Sequence, residues 1–154
     1  MASKIDYQKI FSRFYAKVTA YDLVEKSQEI TTSLQDEWLH SVIAKPMVKR
    51  LFSSISLDDE IQIMEYQLKS RTNNDDDFVI EVAALGMIIE WLSPKVNHVH
   101  NYLQVFSNTD QKFYSQSTHL TATQNAFADA EARQGQMIAD YNVTWNSYLG
   151  NEDE

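Results

Sequence analysis

The stretch FVIEVAALGMIIEWL, Phe78 to Leu92, is apolar at nearly every position and interrupted only by Glu81, Gly86 and Glu90. It has no polar stripe, so it predicts an element enclosed by neighbours on most sides. Its length favours a helix over a strand, yet it is shorter than the roughly 18 to 20 apolar residues that cross a bilayer. The spacing therefore predicts a buried central helix over about 78–92, with Phe78, Leu85, Gly86, Ile89 and Trp91 in the structural core. Gly86 costs a helix about 1 kcal/mol against Ala, which predicts that a neighbouring backbone approaches closely there. Pro94 disfavours helical geometry at Ser93, so the helix is expected to end at that point. The chain should then resume at a new angle through Val96, Val99, Leu103 and Phe106. Glu81 and Glu90 fall about half a rotation apart and cannot act as a carboxylate pair within one helix. Each is expected to reach solvent or a basic partner.

What surrounds this helix follows from the remaining composition. The chain has 154 residues, 44% of them hydrophobic and 12% aromatic, enough for one domain with a real core. Three glycines and two prolines leave little material for the tight turns of a β-rich fold. The expected fold class is all-α, a compact bundle of about five to six helices over 1–141 with an extended tail over 142–154.

Tyr7, Ile10, Phe11, Phe14, Tyr15 and Val18 recur at helical spacing and form an aromatic stripe on a first helix. Thr19 to Asp22 has capping-box spacing and predicts a short second helix reaching about Lys26. Ser27 is then expected to cap a longer helix whose face is Ile30, Leu34, Trp38, Leu39, Val42 and Ile43. Pro46 stops that helix or opens a short one through Phe52. Ser56 and Asp59 suggest another cap, and Ile61, Met64 and Leu68 continue a helical stripe, although Ile61 and Ile63 also alternate as a strand does. Ser70 to Asp77 is read as a loop whose acids cap the central helix. A last helix is expected from about Ser115 to Tyr141, with Leu120, Phe127, Met137 or Ile138 and Tyr141 on a thin stripe. Its many small residues suggest that it packs against another chain or lines a wet surface rather than the core. Asn142 is expected to end it.

No cysteine is present, so disulfides, thiolate nucleophiles and cysteine-ligated metals are excluded. Walker, nucleophile-elbow, zinc-protease and dinucleotide motifs are all lacking. The Asn/Asp run does not fit a calcium loop: a register starting at Asn73 puts Phe78 where glycine is needed and Ala84 where the bidentate glutamate belongs. His98 and His100 lack a third ligand nearby, and His40 and His119 stand alone. The expectation is a protein that is not an enzyme, without catalytic residues, metal or cofactor. A net charge of −9, from 22 acids against 13 basic residues, argues against tight nucleic-acid binding. It suits a surface that nucleic acid passes without sticking. No membrane segment or cleavable leader is read, so synthesis in the cytoplasm is expected.

Five stretches together carry a resemblance: SRFYAKVTAYDL (Ser12 to Leu23), RLFSSISLDDEIQ (Arg50 to Gln62), GMIIEWLSPKVN (Gly86 to Asn97), KFYSQSTHL (Lys112 to Leu120) and NSYLGN (Asn146 to Asn151). The chain resembles head–tail connector (adaptor) proteins of tailed bacteriophages that infect Gram-positive bacteria. The resemblance implies a helical structural protein of the virion. It would form a ring, commonly a dodecamer, beneath the portal protein and next to a stopper or other neck protein. Double-stranded DNA would pass through that ring without specific binding. The resemblance carries over no catalytic residues. On this reading Asp129 and Glu131 are candidate channel-facing acids, and Val143, Trp145, Tyr148 and Leu149 are candidate portal-binding residues of the tail. The alternative is an acidic helical binding module that blocks a partner's basic groove.

Overall fold

The computed structural model describes residues 1–69, 74–105 and 110–144, and within these the side chains outside 25, 28, 29, 98–105, 110–120, 143 and 144. Helices dominate it, but the all-α expectation is wrong. Three strands, β1 (Ser3–Asp6), β2 (Phe52–Asp58) and β3 (Ile63–Leu68), form an antiparallel sheet in the order β1-β3-β2. The register sets Ile5 and Leu57 on either side of Met64, and Ser3 and Ile55 on either side of Tyr66.

The segment around β3 can be read with either period. Ile61, Met64 and Leu68 fit a helix, whereas Met64, Tyr66 and Leu68 fit a strand. The strand prevails because two partners satisfy its backbone, and its three alternating apolar residues are all buried. Ile61, which would have completed the helical stripe, is left 63% exposed in the β2–β3 turn. Asp58 organises that turn by accepting from the N–H groups of Glu60 and Ile61. Gln62 closes it with a φ of 56°. Ser56, expected to cap a helix, lies inside β2.

Helix α1 (Tyr7–Ala20) is capped by Asp6, whose side chain accepts from the Gln8 N–H at 2.8 Å. It buries Tyr7, Ile10, Phe11, Phe14 and Val18 and leaves Tyr15 on the surface. Thr19 to Asp22 closes this helix and does not start a second one. The Leu23 N–H bonds the Val18 carbonyl, the Asp22 N–H bonds the Thr19 carbonyl, and Asp22 takes a φ of 56°. That is a Schellman ending, with Leu23 and Val18 buried as its apolar contact. A 3-10 helix, Val24–Glu29, follows. Helix α2 (Thr32–Ala44) is capped by Thr31 and not by Ser27; it buries Gln35, Leu39, Val42 and Ile43. Helix α3 (Pro46–Lys49) has Pro46 in its first turn and stops before Phe52, which opens β2.

The apolar run lies in α4 (Asp76–Val105), which starts with two acids at its positive end and with the Asp75 carboxylate on the Phe78 N–H at 3.0 Å. Every residue from Val79 to Leu92 is buried except Glu81 and Glu90, which are half-buried, as is Phe78. The expected corner at Pro94 is absent, and α4 continues through it. Pro94 is exposed, and its ring nitrogen cannot donate to the Glu90 carbonyl, so the helix runs on with one bond fewer. Helix α5 (Asp110–Thr144) also exceeds its expected span, running past Asn142. It packs along α4 and buries Thr123, Ala126, Ala130, Gln134 and Ile138. The expectation that its small residues exclude it from the core is therefore overturned: they bring it against α4 of the same chain. Helices α1, α2 and α5 surround α4, and the inner faces of β1 and β3 complete one continuous core.

Candidate functional site

Gly86 shows how tightly the α2, α4 and α5 junction is built. A Cβ there would lie 2.5 and 2.7 Å from the two Val42 methyls and 2.8 Å from Gln134 Nε2. The neighbours are side chains, not the backbone that the sequence suggested. Gln134 is fully buried and donates from Nε2 to the Val82 carbonyl at 3.0 Å. Because Val82 lies one turn before Gly86, the missing side chain uncovers that carbonyl for a second donor.

Around this core, three tyrosine hydroxyls each donate to an aspartate at the rim. Tyr7 reaches Asp59 at 2.8 Å, Tyr21 reaches Asp129 at 2.6 Å, and Tyr66 reaches Asp76 at 2.5 Å. Burial, and then the aspartate, raises each hydroxyl; Tyr21 is pushed up to about 12, and Tyr7 and Tyr66 go higher still. A phenol that keeps its proton and spends it on a fixed aspartate acts as a tie, not as an acid or base. The three bonds join the β2–β3 turn to α1, the residue capping the end of α1 to α5, and β3 to the start of α4. Asp59 also meets His40 Nε2 at 2.9 Å; His40 first, and Tyr7 after it, hold its carboxyl below the usual range.

Glu81 sits between Arg13, at 2.8 Å, and Lys17. Burial pushes its carboxyl up, but the hydrogen bonds from Lys17 and Arg13 outweigh this and hold it low. Glu90 pairs with Lys45 at 2.6 Å. Among the described residues, no group of histidine and carboxylate side chains could hold a metal ion, and no helix is long and apolar enough to cross a membrane.

The residues singled out from the sequence fall in different places. Leu85, Gly86, Ile89 and Trp91 are buried in α4, and half-buried Phe78 stacks on Tyr141 with ring centroids 4.9 Å apart. Asp129 and Glu131 do not share a face, since two residues of helix turn them about 200° apart. Asp129 is engaged by Tyr21 and by Arg133 at 3.0 Å, whereas Glu131 is exposed. Val143 lies in the last helical turn of α5, not in an extended tail. Trp145, Tyr148 and Leu149 lie outside the described residues, as do Ser70 to Asn73. So do the side chains of His98, Val99, His100, Leu103, His119 and Leu120.

Sequence reasoning missed Thr123 and Gln134 as core residues and missed Tyr21 as the partner of Asp129. The first two sit in register with Ala126, Ala130 and Ile138, a three- and four-residue spacing visible once polar residues are admitted to the stripe. The Tyr21–Asp129 contact left no local signal. Comparison of the chain with protein-family models, with characterised proteins and with solved structures gave no match.

Proposed function

We propose that this chain is a structural head–tail connector, or adaptor, of a tailed bacteriophage of Gram-positive hosts. It assembles as a ring beneath the portal, contacts a stopper or other neck protein, and continues the DNA channel toward the tail. It carries out no catalysis. The observation that carries the reading is the length of the α4–α5 pair. At 1.5 Å per residue these helices run about 45 and 50 Å. Among the described side chains, the helices are buried together along Val79 to Leu92, Glu81 and Glu90 apart, and at Thr123, Ala126, Ala130, Gln134 and Ile138. One domain of this size closes its core with shorter helices, whereas a subunit that links two rings needs the reach. The net charge of −9 supports the same reading, because a wall that repels phosphates lets DNA slide. Glu131, exposed on α5, is the described candidate for that wall.

Light scattering and electron microscopy of the purified chain, alone and mixed with portal rings, test the proposal. The expected result is a ring that decorates portals. Ending the chain after Thr144 is expected to abolish decoration without changing the melting temperature, because the tail from 145 onward is assigned to the portal contact. A strict monomer that ignores portals and captures a basic groove would overturn the reading in favour of the acidic binding module.

A further inference from the structure

The sheet has two outer edges, and they are built differently. β1 is four residues long, and its exposed Lys4 and Asp6 are engaged by Glu65 and by the Gln8 N–H. Short, charged edges resist pairing with another chain. β2 has seven residues and carries neither lysine nor proline; its exposed side chains are Ser53, Ser54, Ser56 and Asp58. Among the described residues, only β3 gives its backbone a hydrogen-bonding partner. Along the other edge, about 23 Å at roughly 3.3 Å per residue, alternate N–H and C=O groups point away from the sheet. The one irregularity, between Phe52 and Ser54, leaves Ser54–Asp58 in regular register. Ile55 and Leu57 lie opposite fully buried Tyr66 and Met64, yet are themselves only half-buried. A further strand beside β2 would cover them.

The charges at the two ends of β2 say which strand fits. Lys49 and Arg50 precede it, exposed, and exposed Lys69 is tied to the same end by its N–H on the Leu51 carbonyl at 3.0 Å. Asp58, Asp59 and Glu60 close it, all exposed. The strand thus has a basic start and an acidic finish. Turned end for end, that pattern is its own complement.

We infer that β2 pairs antiparallel with β2 of a second copy of this chain across a two-fold axis, joining two three-stranded sheets into one of six strands. With the axis at Ile55, Arg50 of each copy falls beside Glu60 of the other, and the two Ile55 residues lie opposite one another. A parallel arrangement would set base against base and acid against acid. Copies that each carry −9 repel, so a contact between them is favoured where basic residues of one meet acids of the other, as they do at both ends of this pair. The contact closes at two copies and builds no ring. It describes the free chain and goes beyond the connector reading without resting on it.

Analytical ultracentrifugation of the purified chain over a concentration series, combined with amide hydrogen exchange, tests the pair. A single strand pair is a small interface, so a dimer that dissociates at micromolar concentration is expected. Exchange at those amides of Ser53 to Leu57 that β3 does not bond should slow as the dimer forms. Arg50→Glu alone and Glu60→Arg alone should each weaken dimerisation about tenfold. Mixed together, the two variants should pair, because every end then meets its opposite charge, and a chain carrying both changes should dimerise again. Both positions are exposed, so each variant should melt as the dilute wild type does, which separates lost pairing from lost folding. A wild type still monomeric at millimolar concentration, a dimer that leaves β2 exchange unchanged, or single variants that dimerise as well as the wild type would overturn the inference. Rings that decorate portals while the free chain stays monomeric would uphold the connector reading and sink the β2 pair; a β2-paired dimer that ignores portals would do the reverse.

Discussion

Gly86→Ala sets two effects of opposite sign against each other in the middle of α4. Alanine improves helix propensity by about 1 kcal/mol. Its methyl, however, would enter space already held by Val42 and by the Gln134 amide, at 2.5 to 2.8 Å. Val42 cannot yield easily, since it is fully buried and its branched side chain has one preferred rotamer in a helix. Overpacking of this kind costs about 1 to 3 kcal/mol. Displacing Gln134 from the Val82 carbonyl strands a buried amide and adds about 1 to 3 kcal/mol. The net expectation is a loss of about 3 kcal/mol, read from urea unfolding followed by far-ultraviolet circular dichroism. Gly135 is the control, because nothing lies within 4 Å of a Cβ built there. Gly135→Ala should stabilise the chain by about 0.5 to 1 kcal/mol. Adding Val42→Ala to Gly86→Ala should cost less than the sum of the two single changes. A Gly86→Ala protein as stable as the wild type would refute the packing argument.

Three further outcomes are expected. Trp91→Ala should cost about 3 to 5 kcal/mol in the same assay, since the ring is 4% exposed and packs edge-on against Phe14 at 5.9 Å; a loss below about 1 kcal/mol would make it peripheral. Glu81→Gln should be less stable than the wild type at neutral pH. Because Arg13 and Lys17 depress the folded carboxyl, the difference should be fully present above the ordinary value of 4.5 and vanish as pH falls through the lower folded value, a trend measured by unfolding at stepped pH. Asp129→Lys should lower the melting temperature by removing the Tyr21 acceptor and repelling Arg133, whereas Glu131→Lys should melt normally and, on the proposed connector function, slow DNA passage in an ejection assay; equal melting of the two would deny the Tyr21–Asp129 tie.

Some of this architecture was legible along the chain, and some of it was not. The aromatic stripe of α1 and the apolar run of α4 repeat within a few residues, and a helix satisfies its own backbone, so local pattern and local hydrogen bonding agree. Glu81 and Glu90 could be read as half a turn apart for the same reason, and the structure supplies their separate basic partners. The sheet was different. Ser3–Asp6 buries a single apolar residue, Ile5, and becomes a strand only because Met64 lies opposite it, some sixty residues on. β3 carried both periods, and pairing on two sides chose between them. At Pro94 the local rule predicted a stop, but the helix continues through it and forgoes the one bond that the proline nitrogen cannot donate to the Glu90 carbonyl. The weakly apolar α5 belongs to the core because Gly86 removes the side chain that would have kept Gln134 from the Val82 carbonyl. Periodicity and capping act within one turn, so the sequence by itself determined the main helices. Strand pairing, the Tyr–Asp ties and the seating of α5 depend on which distant residues meet, and only the tertiary structure decided those.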